Sequence, residues 1–284
     1  MQLNKEKKDI LKLKELIESL KDFTPTIVCT GLLNAGKSTL LNALIGDNDN
    51  QTFKVADIRE TTAKKQISVA NLTYIDTPGL DANDNDTKVV YEAINSADIV
   101  LFVHNINTGE LDKSEVTFLK DVLKHHPNQK HFLSTIKFVL TKKDNLNPSE
   151  EEHTISEISK KIEKQIQDIF IELPIIVVVS AEVYQEALKE NSPPLLQYSN
   201  LSTLKKHIDI MINEHKKLIY NNKQTKIRTM LRETLEHLKS KRQNLIYEKH
   251  ALMMENEQKK NLLKQDIVKL NKILKEKEKN YKGL

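Results

Sequence analysis

Six short runs rich in β-branched and apolar residues constrain the fold of this chain more than any other feature. They are residues 26–30 (TIVCT), 66–70 (QISVA), 72–76 (LTYID), 98–104 (DIVLFVH), 136–141 (IKFVLT) and 175–180 (IIVVVS). Helical periodicity fills the gaps near 37–45, 84–96, 112–124 and 148–170. Strands that are apolar at nearly every position belong to a sheet covered on both faces, and alternation of β and α segments makes that sheet mostly parallel. The second and third runs are the exception. Only Asn71 separates them, which predicts a tight hairpin and one antiparallel edge strand. The expected fold class is therefore α/β, with helices on both faces.

Helical segments flank this region. Ile10, Leu11, Leu13, Leu16, Ile17 and Leu20 give residues 1–22 an amphipathic helical face, expected to pack on the C-terminal helices. After Pro194 neither Gly nor Pro occurs until Gly283. A helix over 201–218 is expected to close a domain spanning 23–218, leaving residues 219–284 as a helical arm. Leu231, Leu235, Leu238, Leu245 and Leu252 follow roughly heptad spacing, as do Leu263, Ile267, Leu270 and Leu274. Arg242, Lys249, Asn256 and Lys259 interrupt the seam, so the pattern fits one long helix or a helical hairpin better than a uniform coiled coil.

Charge divides the same way. Residues 201–284 carry 21 Lys and Arg against 10 Asp and Glu, while residues 1–200 carry 23 against 30. An acidic body with a basic arm directs any anionic partner, whether a membrane surface or a nucleic acid, to the arm. The lone cysteine, Cys29, cannot close an internal disulfide and falls within a β run, where it reads as inert core. No apolar run approaches the ~18 residues of a membrane span. These features predict a cytoplasmic protein, at most peripheral to a membrane.

The chemistry-bearing residues stand where strands end. Gly31-Leu-Leu-Asn34-Ala35-Gly36-Lys37-Ser38 directly follows the first run and opens a helix. In that context, G-x-x-x-x-G-K-S turns its backbone N–H groups onto phosphate oxygens, helped by the positive end of the helix. Lys37 is expected to reach the β- and γ-phosphates, Ser38 to ligate Mg²⁺, and Thr39 to lie beside them. Asp76-Thr77-Pro78-Gly79 ends the third run, where Asp76 can hold Mg²⁺ through water and the Gly79 N–H can sense the γ-phosphate. Thr141-Lys142-Lys143-Asp144 ends the fifth run. The Asp144 carboxylate can accept from guanine N1–H and N2–H₂, a donor pair that adenine lacks, and Lys142 can lie along the base. Ser180-Ala181 ends the sixth run and offers a backbone N–H to the guanine O6. Open α/β sheets bind ligands at these strand ends. The polar stretch 47–62 ends in Glu60-Thr61-Thr62, and a threonine hydroxyl there, Thr62 rather than Thr61, would complete the Mg²⁺ shell with GTP bound.

Taken as a set, GLLNAGKST, ETT, DTPGL, TKKD and SA resemble the five G motifs of translation-factor-class GTPases over residues 26–218. The resemblance implies a Ras-like G domain that binds GTP and GDP and hydrolyses GTP. Within the class, Asn34 and the DTPG form are similar to Era, MnmE and bacterial dynamin-like proteins, and TKxD in place of NKxD is the dynamin form. Flanking helices on both sides resemble dynamin-like necks. Dynamin-like chains continue into a longer stalk and a membrane-touching tip, so the resemblance makes this chain, which stops at Leu284, a short relative or a truncated product.

One position departs from the Ras pattern. Leu80 stands where a glutamine orients the attacking water. Asn34 resembles the asparagine that holds a potassium ion in MnmE-like enzymes, which assigns it a catalytic role beside Lys37 and Thr62 and implies turnover coupled to potassium and to pairing of two G domains. His125, His126 and His131 surround Pro127 without acidic or thiol partners, so a solvated loop is expected there rather than a metal site. Two functions remain. One is a dynamin-like mechanochemical GTPase near membranes. The other is an Era-like switch whose basic arm meets RNA, although no G-x-x-G loop follows the G domain and few aromatics are present to stack bases.

Overall fold

The computed structural model describes residues 10–11, 13–18, 21, 23–53, 65–80, 84–170 and 173–281. Strands β1 (Thr26–Thr30), β2 (Lys65–Val69), β3 (Leu72–Asp76), β4 (Ile99–Asn105), β5 (Ile136–Thr141) and β6 (Ile176–Val178) form one sheet in the order β2-β3-β1-β4-β5-β6. All pairs are parallel except β2–β3, whose register sets Val69 opposite Leu72. The two residues of that hairpin loop, Ala70 and Asn71, have φ of 49° and 63°. Positive φ at both positions is what a two-residue turn needs to follow the strand twist. The α/β class, the parallel sheet and its antiparallel edge are all as the sequence predicts.

Alternation along the strands divides the core between the two faces. Val28, Val100, Phe102 and Phe138 pack against helices α2 (Asp84–Ser96), α3 (Lys113–His125), α4 (Gln129–Thr135) and α5 (Glu151–Ile166). Ile27, Cys29, Leu101 and Val139 face the other way, toward α1 (Lys37–Ile45), α6 (Ala181–Lys189) and the first turns of α8 (Leu201–Tyr281). A short helix α7 (Pro193–Ser199) separates α6 from α8.

The structure corrects the histidine loop. His126 and His131 are buried, at 8% and 3% exposure, because Asn128 caps α4 by accepting from the His131 N–H and the His126 ring lies 5.2 Å from that of Phe132. Local capping by a single Asn turned a polar stretch into a helix that the sequence pattern does not announce. Helix α5 is also shorter than the expected 148–170, since a turn at Asn147, whose side chain accepts from the Ser149 N–H, delays its start to Glu151.

Residues 201–281 form one helix of 81 residues rather than a hairpin. The chain divides into two compact units, Met1–Gln224 and Thr225–Leu284. Near the end of the first, Lys223 is buried and its ammonium lies 3.0 Å from the Asp98 carboxylate, which also accepts from the Thr26 N–H at 2.8 Å. Lys223 donates to the Thr24 carbonyl as well. The start of β1, the residue before β4 and the helix that closes the unit are thereby bolted together at the sheet end opposite the motif loops. In the second unit, Leu231, Leu235, Leu238, Leu245 and Leu252 are each about half exposed. Among the described residues, no helix is long and apolar enough to cross a membrane.

Candidate nucleotide site

The loop between β1 and α1 is shaped by two glycines. A Cβ on Gly31, at φ 149°, would lie 2.0 Å from the Val103 carbonyl oxygen, so the loop leaves the sheet by running against β4. Gly36, at φ 88°, sits where a Cβ would press on the Thr141 hydroxyl at 3.3 Å. Asn34 also has positive φ, 57°, and is exposed at the loop's tip. Helix α1 begins without a side-chain cap and without an acidic residue in its first turn. Its leading N–H groups therefore have no acceptor from its own cap, the arrangement that anions occupy at helix N-termini. Lys37 folds back on the loop and donates to the carbonyls of Gly31 at 3.1 Å and Leu32 at 2.7 Å. Thr39 is buried in the first turn of α1, its backbone beside the loop.

Two of the residues expected to hold Mg²⁺ come together. The Ser38 hydroxyl donates to Asp76 Oδ2 at 2.7 Å. Asp76 Oδ1 is buried with no hydrogen-bond partner among the described residues, and burial raises the carboxyl above its usual range, against the lowering effects of Ser38 and Lys37. A buried carboxylate oxygen without a partner, next to a hydroxyl, fits a hard divalent cation held directly or through water. Thr61 and Thr62 lie outside the described residues. The described part of the stretch leading to them ends at Phe53, where Asn42 donates to the Phe53 carbonyl at 2.7 Å and accepts from its N–H at 2.8 Å. Gly79 stays near the loop through its neighbour, since the Leu80 N–H donates to the Gly31 carbonyl at 3.3 Å. The Leu80 side chain packs on the apolar core.

The base-side motifs leave adjacent strands. Thr141 is buried at the end of β5, and its hydroxyl lies 2.6 Å from the Ala35 carbonyl and 3.2 Å from that of His104. It ties the phosphate loop to the base loop. Lys142 adopts φ 61°, and Asp144 follows half-buried in a 3-10 turn, Lys143–Asn145. Lys143 is buried with its ammonium 4.0 Å from the centre of the Tyr198 ring, and Tyr198 donates to Glu151 at 2.7 Å. Burial, then the Glu151 carboxylate, pushes the Tyr198 phenol up to about 12. Ser180 has protein partners for both its polar groups, its N–H donating to Ser199 and its hydroxyl accepting from the Val183 N–H. Ala181 follows as the first residue of α6.

Residues 26–142 match the family model described as the 50S ribosome-binding GTPase. Over these residues the chain is similar to P-loop GTPase domains. An uncharacterised protein of Acinetobacter baylyi is 32% identical over 184 residues, covering 64% of this chain and 41% of its own length. GTPase Era of Neisseria meningitidis is 31% identical over 112 residues, 36% of this chain and 35% of Era. The chain thus spans less than half the length of either relative. A solved structure titled as an oligomerised bacterial dynamin pair aligns with 95% of this chain and 59% of its own, with a TM-score of 0.55 and 19% identity. That likeness is one of fold. It extends beyond the G domain into α8.

Sequence reading did not find the hydrogen bonds that brace the G domain's site. His104 and Glu115, both buried, form one such brace, 3.0 Å apart. Asp112 and Glu115 do carry a legible signal, the capping-box spacing before a helix, and both of its bonds are present. The Lys143–Tyr198–Glu151 cluster has no such local signature.

Proposed function

We propose that this chain binds GTP with Mg²⁺ and hydrolyses it to GDP and phosphate. The observation that carries the reading is the Ser38–Asp76 pair, whose second carboxylate oxygen has no partner among the described residues, beside a helix start that no side chain caps. Bound Mg²⁺ would neutralise charge on the β- and γ-phosphates. Ser38 and Asp76 are the described residues that would hold it, with Thr62 completing the shell. Lys37 serves the phosphates, Asp144 reads the guanine edge, Lys142 lies along the base and Ala181 reaches O6. Lys37→Ala should abolish productive GTP binding, and undiminished hydrolysis by that variant would place the site elsewhere.

Leu80 packs on the core, so a group other than a glutamine at that position must stabilise developing charge. Asn34 is the polar side chain at the loop tip, and its exposure leaves a cation there uncovered until a second G domain faces it. The reading is a potassium-assisted site completed by homodimerisation. Its test is GTP turnover in potassium and in sodium at matched ionic strength across a protein dilution series, for wild type and Asn34→Ala. A specific activity indifferent to cation and concentration rejects it.

For the cellular role, the reading is a dynamin-like mechanochemical GTPase, cytoplasmic and peripheral to a membrane. The helix Leu201–Tyr281 and its half-exposed leucines support it. The alternative is an Era-like switch, favoured by the basic balance of 21 to 10 over residues 201–284. Cosedimentation with anionic liposomes or with RNA, with and without a GTP analogue, separates them. Nucleotide-dependent RNA binding without liposome binding overturns the dynamin-like reading.

A further inference from the structure

Beyond the assigned motifs, the segment that follows β4 is built around a buried hydrogen-bonded pair of side chains. His104, the penultimate residue of β4, is 2% exposed, and Glu115 on α3 is 0% exposed. The imidazole Nδ1 lies 3.0 and 3.1 Å from the two Glu115 oxygens. The other ring nitrogen, Nε2, lies 3.0 Å from the Gly109 carbonyl oxygen and 3.3 Å from the Thr108 hydroxyl. That hydroxyl donates to the Asn105 carbonyl at 2.8 Å, so it has no proton left for the ring. Both ring nitrogens therefore have oxygen partners, and the ring is fixed at both ends. Glu115 in turn accepts from the Asp112 N–H at 2.9 Å, fixing the far end of the segment.

The turn held in this way is the 3-10 turn Ile106–Thr108. Asn105 steadies its middle residue, accepting from both the backbone and the side-chain N–H of Asn107 at 3.1 Å. The remaining reach of Asn107 is outward, and its amide donates to the Lys142 carbonyl at 2.8 Å. Lys142 carries positive φ one residue after Thr141 and two before Asp144. A non-glycine residue in that conformation is strained and persists only where its surroundings hold it. The His104 carbonyl also meets the Thr141 hydroxyl. The base loop is thus gripped from the β4 side twice, by a backbone carbonyl and by the Asn107 amide.

We propose that Asn107, held by the His104–Glu115 pair, is a positioning residue that sets the Asp144 carboxylate against the guanine edge. The inference rests on the reading that Asp144 recognises guanine. Asn107 acts through the Lys142 backbone and touches no nucleotide. Its contribution is therefore confined to how well the base is discriminated.

The test compares GDP with IDP, which keeps N1–H and O6 but lacks the 2-amino group. Wild type should prefer GDP by about tenfold or more, the worth of one hydrogen bond to a charged acceptor. Asn107→Ala, an exposed substitution, should narrow the GDP-to-IDP ratio by about threefold and speed GDP release while leaving the melting temperature unchanged. Asn107→Asp has the same shape but cannot donate, and should narrow the ratio as much. Glu115→Gln, which replaces one of the two carboxylate oxygens that meet His104 and the Asp112 N–H, should narrow it together with a lowered melting temperature. A wild-type ratio in Asn107→Ala overturns the inference and leaves guanine recognition by Asp144 standing. Wild-type protein that binds GDP, IDP and ADP alike removes both.

Discussion

Replacing Lys223 with methionine tests how the first unit is closed. Lys223 and Asp98 are 2% and 1% exposed, and their charged atoms lie 3.0 Å apart. Methionine keeps the length of the side chain but removes the ammonium, leaving the Asp98 carboxylate to the Thr26 N–H and its remaining contacts. Removing one partner of a buried ion pair typically costs 3–5 kcal/mol, because the other charge stays desolvated. For a unit of this size, each kcal/mol lowers the melting temperature by roughly 2–4 °C, so a fall of about 6–20 °C is expected. The double variant Asp98→Asn/Lys223→Met should recover much of that loss, giving a coupling of at least about 1 kcal/mol in a thermodynamic cycle. Because the pair sits at the sheet end away from the motif loops, GDP affinity at 15 °C should be unchanged. Differential scanning calorimetry and nucleotide titration measure the two quantities. A loss below about 1 kcal/mol, or additive single and double variants, refutes the assignment of the pair as the bolt.

Three further outcomes follow from the site. Asp144→Asn should shift preference from guanine toward xanthine nucleotides, read by competition with fluorescent GDP, and equal tight binding of ATP and GTP by the wild type would refute the base assignment. Gly31→Ala forces a Cβ to 2.0 Å from a backbone oxygen, so expression of a folded protein with wild-type melting temperature would contradict the loop geometry. Burial raises the Asp76 carboxyl, which makes the protonated form more favourable in the fold than in an exposed aspartate. Proton and metal compete for it, so the Mg²⁺ requirement should climb as pH falls, starting at a higher pH than an ordinary carboxylate would allow. Mg²⁺ titrations that are flat between pH 7 and about 4 would refute this.

The features legible in the sequence were those encoded locally. Strands whose residues are all apolar, such as Ile99–Val103, announce a buried sheet, and Gly31 to Ser38 announce their loop through the spacing of residue types. Asn71 announced the hairpin because few other residues accept positive φ. Helix α4 was hidden, because its stabilisation comes from one cap and the packing of His126 against Phe132. The site's braces were hidden for a related reason. Asn107 to Lys142 spans 35 positions and Tyr198 to Glu151 spans 47, and no local pattern records a contact formed only when strands are laid side by side. The seam of α8 left two architectures open, since Arg242 and Lys249 break a heptad without stopping a helix.

The single hydroxyl of Thr141 has an evolutionary consequence. It meets the Ala35 carbonyl at 2.6 Å, while the absent Cβ of Gly36 marks the space beside it at 3.3 Å. Side chain and void are complementary, so the two positions are not free to drift one at a time. A lineage exchanging threonine for the bulkier asparagine at 141 must first move the loop carrying Ala35 and Gly36, or pass through an intermediate that holds phosphate poorly. Substitutions at 35, 36 and 141 should therefore arrive together in descendants of this chain. Reconstructed single-step intermediates should bind nucleotide more weakly than either end of the path.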